Sequence, residues 1–466
     1  MTTTLIKHGT IITASQRFVS DIVIQDGRIT QLGQNLHITD ADTEFDAAGK
    51  YIIPGGIDVH THLDMPLGDI CSVDTFETGT IAAACGGTTT VIDYAAHGRG
   101  ELMERGLETW HRKAEGRAVI DYGFHMTLSE FTDRTLRDME LMVDAGVTSF
   151  KVFTAYPDRM MLDDAAIFHI LKRSEELGAL VCVHAENGHI IDVLIQEALA
   201  SGNIAPHYHA LTRPSQGEGE AVNRVITLAE LAEAHVYIVH VSCDEAVRHI
   251  THARVRGLPI YAETCPQYLF LSNDYYELPD FEGAKYVMSP PLRGKQHQDS
   301  IWRGIQNRML QVIGTDHCPF HFHGQKDRDQ GDFTKIPNGG PGIETRLSLL
   351  YTGGVCTGRI SLNHFVDLVS TAPAKLFGLY PQKGAIAPGS DADLVIFDPH
   401  TESVISAATH HSAADYSLYE GMKVKGLPEL VLSHGKVIVD HGKFTGDPGD
   451  GRFIPRPPHP VIPDAD

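Results

Sequence analysis

Eight short apolar runs, most of them followed by an amphipathic stretch, predict an α/β chain built as a (β/α)8 TIM barrel with a small β-sandwich domain made from both chain ends. Two further observations support this. Turn-punctuated strands cluster at the two ends, and metal-ligand residue types sit where the central runs end. The runs span 57–60, 89–94, 120–126, 149–154, 180–184, 236–240, 259–263 and 312–315. A helix fits after most of them, as in 163–177, where Leu162, Ala166, Ile170 and Leu171 share one face. Eight such units favour a closed barrel over an open sheet, and no dinucleotide-fingerprint glycines are present. Gly55-Gly56 and Gly86-Gly87 read as turns. At 466 residues the chain exceeds one core, which leaves room for a barrel of roughly 250–300 residues plus a smaller domain.

The first 53 residues read as short strands, with Asp26-Gly27 between apolar runs as a hairpin signal. The same texture returns in 391–397, 430–432 and 436–439. Neither end offers enough strands for a sheet of its own, so the two are expected to pair. The expected organisation is residues 1–53 and 381–445 in the sandwich, 54–380 in the barrel, and 446–466 as an extended tail. In that tail the proline-rich segment from Arg452 to Pro460 excludes a helix and should lie on a neighbouring surface.

With 38 Lys and Arg against 60 Asp and Glu, the net charge of -22 argues against nucleic acid or an anionic membrane as a partner. The seven cysteines are scattered through apolar segments such as Val181-Cys182-Val183, which suggests reduced core thiols and a cytoplasmic location. Neither a secretory leader nor an 18-residue apolar run is apparent.

His60-Thr61-His62 follows the first run, and residues i and i+2 of a strand face the same side, so two imidazoles can converge on one ion. Alone, such a pair among 27 histidines is weak evidence. However, Lys151 lies on the fourth run, His184 and His240 end the fifth and sixth, and Asp316 follows the eighth. In a barrel these positions meet at the C-terminal rim, where active sites form. Lys151 is the odd member, because an ammonium repels metal ions. A lysine that has taken up carbon dioxide becomes an anionic carbamate able to bridge two of them.

Six strings then carry a resemblance: 54–62 (PGGIDVHTH), 150–156 (FKVFTAY), 184–187 (HAEN), 263–268 (ETCPQY), 289–293 (SPPLR) and 314–320 (GTDHCPF). Together they resemble the cyclic amidohydrolases, in particular the D-hydantoinases and dihydropyrimidinases, along nearly the whole chain. The resemblance implies a homotetramer with two zinc ions per chain, manganese or cobalt being possible substitutes, acting on a small cyclic ureide or imide. His60, His62 and Asp316 would hold the more buried ion and His184 and His240 the more exposed one. N6-carboxylated Lys151 and a hydroxide would bridge them. Asp316 would also move the proton, Tyr156 would donate to the oxyanion, and backbone groups at Ser289 and Asn338 would hold the ring amide. Met65, Leu67, Phe153 and Met160 match an apolar gate for the ring substituent.

The expected reaction is hydrolysis of 5-substituted hydantoins or 5,6-dihydropyrimidines to N-carbamoyl amino acids. Allantoinase is the enzyme alternative. A metal-free scaffold relative is the non-enzyme alternative, disfavoured because every expected ligand is present. Dihydroorotases usually carry an arginine where this chain has Asp64, which would repel a substrate carboxylate.

Overall fold

The computed structural model describes residues 2–38 and 41–458. Eight parallel strands form one sheet in sequence order: Gly56–Thr61, Thr88–Ala96, Asp121–Thr127, Ser149–Phe153, Leu180–His184, Val236–Ile238, Ile260–Thr264 and Val312–Ile313. All eight coincide with the expected runs. Their length and near-continuous apolar character suit strands covered on both faces.

The seam between the first and eighth strands is closed without a regular ladder. Thr61 bridges His317 in parallel, and His62 N donates to His317 O at 2.9 Å. The Asp58 carboxylate accepts from both Thr315 N and Thr315 Oγ1. Lower in the seam the buried Arg346 donates Nη1 to Ile57 O and Ile313 O at 2.8 and 2.9 Å, and Nη2 to Thr88 Oγ1. Its guanidinium supplies donors to carbonyls that the short eighth strand leaves unpaired.

The two chain ends pair: Leu394–Val404 runs antiparallel to Tyr51–Pro54 in a seven-stranded sheet that also contains Thr10–Ile12, Arg17–Val19 and the C-terminal strands Lys423–Ser433, Lys436–Asp440 and Lys443–Phe444. One expectation is corrected here. The N-terminal segment does build a sheet unaided, four strands in the order Arg28–Gly33, Asp21–Gln25, Thr3–Lys7 and Thr43–Asp46. Thr43–Asp46 is an edge strand with largely exposed side chains, so it lacks the apolar alternation that marks a strand in sequence. Ile6, Ile22, Ile24 and Ile29 of this sheet pack on Ile11, Ile52, Leu394, Ile396 and Leu432 of the other. Each such fully buried side chain contributes about 1.5–3 kcal/mol. Asp26-Gly27 forms the expected hairpin, both residues at positive φ (46° and 82°).

The tail also finds a defined seat. The third and fourth strands pair only at Met126 and Thr127 with Phe150 and Lys151, and splay apart below. Residues 452–456 fill that splay. Tyr122 N donates to Arg452 O and Ile454 N to Tyr122 O, while Arg456 N reaches Gly146 O. The buried Arg456 guanidinium donates to Phe124 O and to Ser149 Oγ. His459 and Pro460 lie outside the described residues.

Among the described residues no helix is long and apolar enough to cross a membrane. None of the seven cysteines is paired. Five are buried, but Cys71 and Cys356 are exposed, so these two are not the core thiols the sequence suggested.

Candidate active site

The predicted residues meet at the C-terminal rim of the barrel. On the fourth strand Phe150 and Val152 join the large cluster beneath the helices, so alternation turns Lys151 to the other face. On the fifth, Val181 and Val183 belong to that cluster while Leu180 and Cys182 belong to a second one, which places His184 on the second face. The sixth strand breaks the rule. Val236 and Ile238 pack in the large cluster, so strict alternation would send His240 outward as well. Its φ of 39° reverses the backbone just beyond the strand and brings the imidazole to His184. Asp316 (φ 52°) and Tyr156 (φ 65°) are likewise left-handed. Such conformations cost about 1–3 kcal/mol each and persist where the surroundings enforce them, often at functional sites.

Asp316 Oδ1 lies 3.1 Å from His60 Nε2 and 3.2 Å from His62 Nε2. His184 Nδ1 faces His240 Nε2 at 2.9 Å, and the His60 and His240 rings are 5.4 Å apart. Donor atoms of His60, His240 and Asp316 all fall within 4.8 Å of one another. Lys151 Nζ lies 4.6 Å above the Tyr94 ring and 5.3 Å from that of Phe153.

Two carboxylates orient these imidazoles. Glu263 Oε1 bonds His60 Nδ1, and Glu186 Oε2 lies 2.8 Å from His184 Nε2. An ionised carboxylate only accepts, so each of these ring nitrogens carries the proton and the opposite nitrogen faces the centre of the site. Glu263 also accepts from Tyr237 Oη and His240 N. Neither carboxylate was assigned a role from sequence, although both lie in the strings that carry the resemblance. Glu263, near the end of the seventh strand, follows the same rim pattern as the histidines and could have been read from it.

The electrostatics favour a cation at this point. Burial would lower the His60 pKa, but the Glu263 and Asp316 charges outweigh it and raise it to about 9. Burial would raise the Asp316 carboxyl, yet the His60 charge and the close approach of the His60 and His62 imidazoles hold it well below the usual carboxylate range. The buried His60 Nε2 and His240 Nδ1 make no hydrogen bond. Buried nitrogens left orphaned beside a carboxylate, with their ring partners fixed, are the donor set of a divalent metal ion. A second cluster, Asp121, Asp391 and His434, is different: the Lys383 ammonium already sits among its carboxylates.

Around this centre, the half-buried Tyr156 ring lies 5.4 Å from His184, with the Arg213 guanidinium 5.3 Å from its face. Arg213 Nη1 also donates to Glu186 Oε2 at 2.8 Å, so one buried ion pair touches both. Asn338 Nδ2 donates to Ser289 Oγ at 3.0 Å. Phe153 stacks on His184 at 5.4 Å; Met65, Leu67 and Met160 are half-buried on the loops after the first and fourth strands. Asp64 points elsewhere: its Oδ2 accepts from Phe76 N at 2.8 Å, at the start of helix Phe76–Cys85. That engagement of the Asp64 carboxylate removes the repulsion expected of it.

Residues 51–438 match the model of the amidohydrolase family. This chain belongs to that family. Within it the chain falls among the D-hydantoinases and dihydropyrimidinases, which are cyclic amidohydrolases. It is 55% identical over 455 residues to a D-hydantoinase of Geobacillus stearothermophilus, covering 97% of this chain and 96% of the relative. A D-hydantoinase of Streptomyces coelicolor is 50% identical over 97% of this chain and 98% of its own. The crystal structure of dihydropyrimidinase from Brevibacillus agri superposes with a TM-score of 0.97 at 52% identity, covering 98% of this chain and 100% of that one. In this amidohydrolase the eight-stranded barrel gathers the candidate site residues at its strand C-termini.

Proposed function

We propose that the chain opens the ring of 5-substituted hydantoins and 5,6-dihydropyrimidines by hydrolysing a cyclic amide bond, yielding N-carbamoyl amino acids, with preference for the D enantiomer of hydantoins. The observation that carries this reading is the convergence of His60, His62, Lys151, His184, His240 and Asp316 on one rim, beside Tyr156, in a chain of this family. His60, His62 and Asp316 would hold one divalent ion, His184 and His240 a second, and carboxylated Lys151 would join them. Zinc suits these nitrogen and oxygen donors, and manganese or cobalt could substitute. Lys151 is chemically apt: burial lowers its pKa to about 8, against the opposing Asp316 charge, so part of the amine is neutral and able to add carbon dioxide near that pH.

When bound, such ions acidify water and polarise an amide carbonyl. The protein supplies the rest. Asp316 takes the proton of the attacking water and returns it to the leaving ring nitrogen, so that one C–O bond forms as the C–N bond breaks. Tyr156 donates its phenolic hydrogen to the developing oxyanion. Burial raises its pKa, with Arg213 and Ser289 opposing, so the group stays protonated and remains a donor. Backbone groups at Ser289 and Asn338 would hold the ring amide, on two segments that their side chains join. Met65, Leu67, Phe153 and Met160 would receive an apolar 5-substituent, a preference that also sets the chain apart from allantoinases. Exposed Ile190, Val193 and Leu199 on helix Gly188–Ala200 fit burial in a homotetramer, and the unpaired cysteines fit a cytoplasmic enzyme.

The test compares kcat/KM of zinc-loaded enzyme for dihydrouracil, hydantoin, both enantiomers of a 5-aryl hydantoin, and allantoin, alongside metal analysis. Efficient opening of the first two and of the D-aryl substrate, with allantoin poor, is expected. Protein that holds no metal and opens no ring would falsify the reading. Tyr156→Phe should lower kcat by about 10²–10³-fold with metal content unchanged; a loss below about threefold would remove Tyr156 from the mechanism.

A further inference from the structure

Lys326 has no part in the chemistry above, yet its side chain is fully buried behind the loops that flank the site. It ends the kinked turn Phe322–Lys326, and Nζ donates to two carbonyls on different segments, Val287 O at 2.9 Å and Pro337 O at 2.8 Å. Val287 precedes Ser289 by two residues, and Pro337 directly precedes Asn338. The same two segments meet again where Gly339 N donates to Val287 O at 3.0 Å and Asn338 Nδ2 to Ser289 Oγ at 3.0 Å. Lys326 is the element, external to both, that ties them together.

Burying an amine against carbonyls is costly, and here burial pushes its pKa down to about 7, with Cys318 opposing. The contact does not depend on the charge. A protonated or neutral amine has at least two N–H bonds for two acceptors, so the clamp holds in either form. An apolar chain of the same length would fill the space but leave the buried Pro337 carbonyl without this donor.

We propose that Lys326 is a positioning residue for the substrate ring, clamping the Val287–Ser289 and Pro337–Gly339 segments at the spacing that lets their backbone groups grip the ring amide. This rests on the function proposed above, in which Ser289 and Asn338 receive that amide. Lys326 itself touches no substrate.

Zinc-loaded wild type, K326M and K326Q are compared by steady-state kinetics on dihydrouracil and hydantoin, with metal content and thermal midpoint measured on the same samples. K326M should raise KM for both rings about tenfold while kcat changes less than about threefold, because the clamp acts on ring placement and not on the reacting groups. K326Q, which keeps a neutral donor on a shorter arm, should raise KM about threefold. Metal content should match wild type throughout. A role in stability alone would lower the thermal midpoint and the active fraction while KM stayed constant, and that pattern overturns the inference. If K326M does not fold, K326Q decides: a wild-type KM overturns the inference and a raised one supports it. A wild type that opens neither ring overturns the functional reading, and this inference with it; unchanged KM values beside an active wild type overturn this inference alone.

Discussion

Asp316→Asn is expected to fold, and to lose about 10⁴-fold in kcat. The fold should tolerate the change because Asp316 sits at φ 52°, a left-handed conformation that asparagine adopts more readily than most residues. The chemistry should not. Oδ1 lies 3.1 and 3.2 Å from His60 and His62 Nε2, and the carboxyl is held ionised against the effect of burial, chiefly by the His60 charge. An amide has no proton affinity with which to take the proton of the attacking water, and it brings no negative charge. It also leaves His60, raised to about 9 partly by Asp316, with Glu263 as its anionic support. Circular dichroism, metal content and kcat measured on one preparation check this. Native-like dichroism with kcat within tenfold of wild type would show that another group moves the proton.

Lys383→Met should be the most damaging substitution remote from the site, lowering stability by about 3–5 kcal/mol at neutral pH. Lys383 Nζ, 1% exposed, lies 2.5 Å from Asp121, 2.6 Å from Asp393 and 3.1 Å from Asp391. Asp121 belongs to the third barrel strand, while Asp391 and Asp393 lead into the strand Leu394–Val404 that joins the chain ends. Methionine would leave three carboxylates facing one another, with His434 at 2.7 Å from Asp121 and Arg28 at 3.6 Å from Asp391 as flanking cations. The pH dependence has a definite sign. Burial would raise the Asp121 pKa, but His434 and Lys383 lower it to about 2, from 3.8. Its contribution to stability is therefore present above about pH 4 and lost as pH falls through about 2. The gap in thermal midpoint between wild type and variant should accordingly be widest near neutrality and shrink in acid. Equal midpoints at pH 7 would show that the cluster contributes nothing to the junction.

Legibility from sequence followed locality. Leu180–His184 announces itself because a strand covered on both faces is rich in apolar residues, and each barrel strand carries enough of them to stand out from the flanking turns. Thr43–Asp46 was missed because an exposed edge strand needs no apolar side. The rim position of His184 follows from alternation, whereas that of His240 depends on a left-handed φ that no side-chain pattern encodes. Glu186 and Glu263 stand in motifs, so their presence was visible but their partners were not. Lys326, Arg213 and Arg346 act on groups far along the chain. A lone basic residue has no local signature that distinguishes a buried clamp from a solvated side chain.

The seat of the C-terminal tail has a consequence for how the molecule is made. Arg456 and Ser149 are 307 positions apart, so the wall between the third and fourth strands is finished by residues translated long after those strands. At roughly 5–20 residues per second, the nascent fourth strand waits on the order of tens of seconds for its wedge. This part of the barrel wall is thus completed long after its flanking strands have been made. A premature stop just before residue 452 would yield a chain carrying every candidate metal-binding residue in a barrel that is open at one side, a substrate for quality control and not an enzyme.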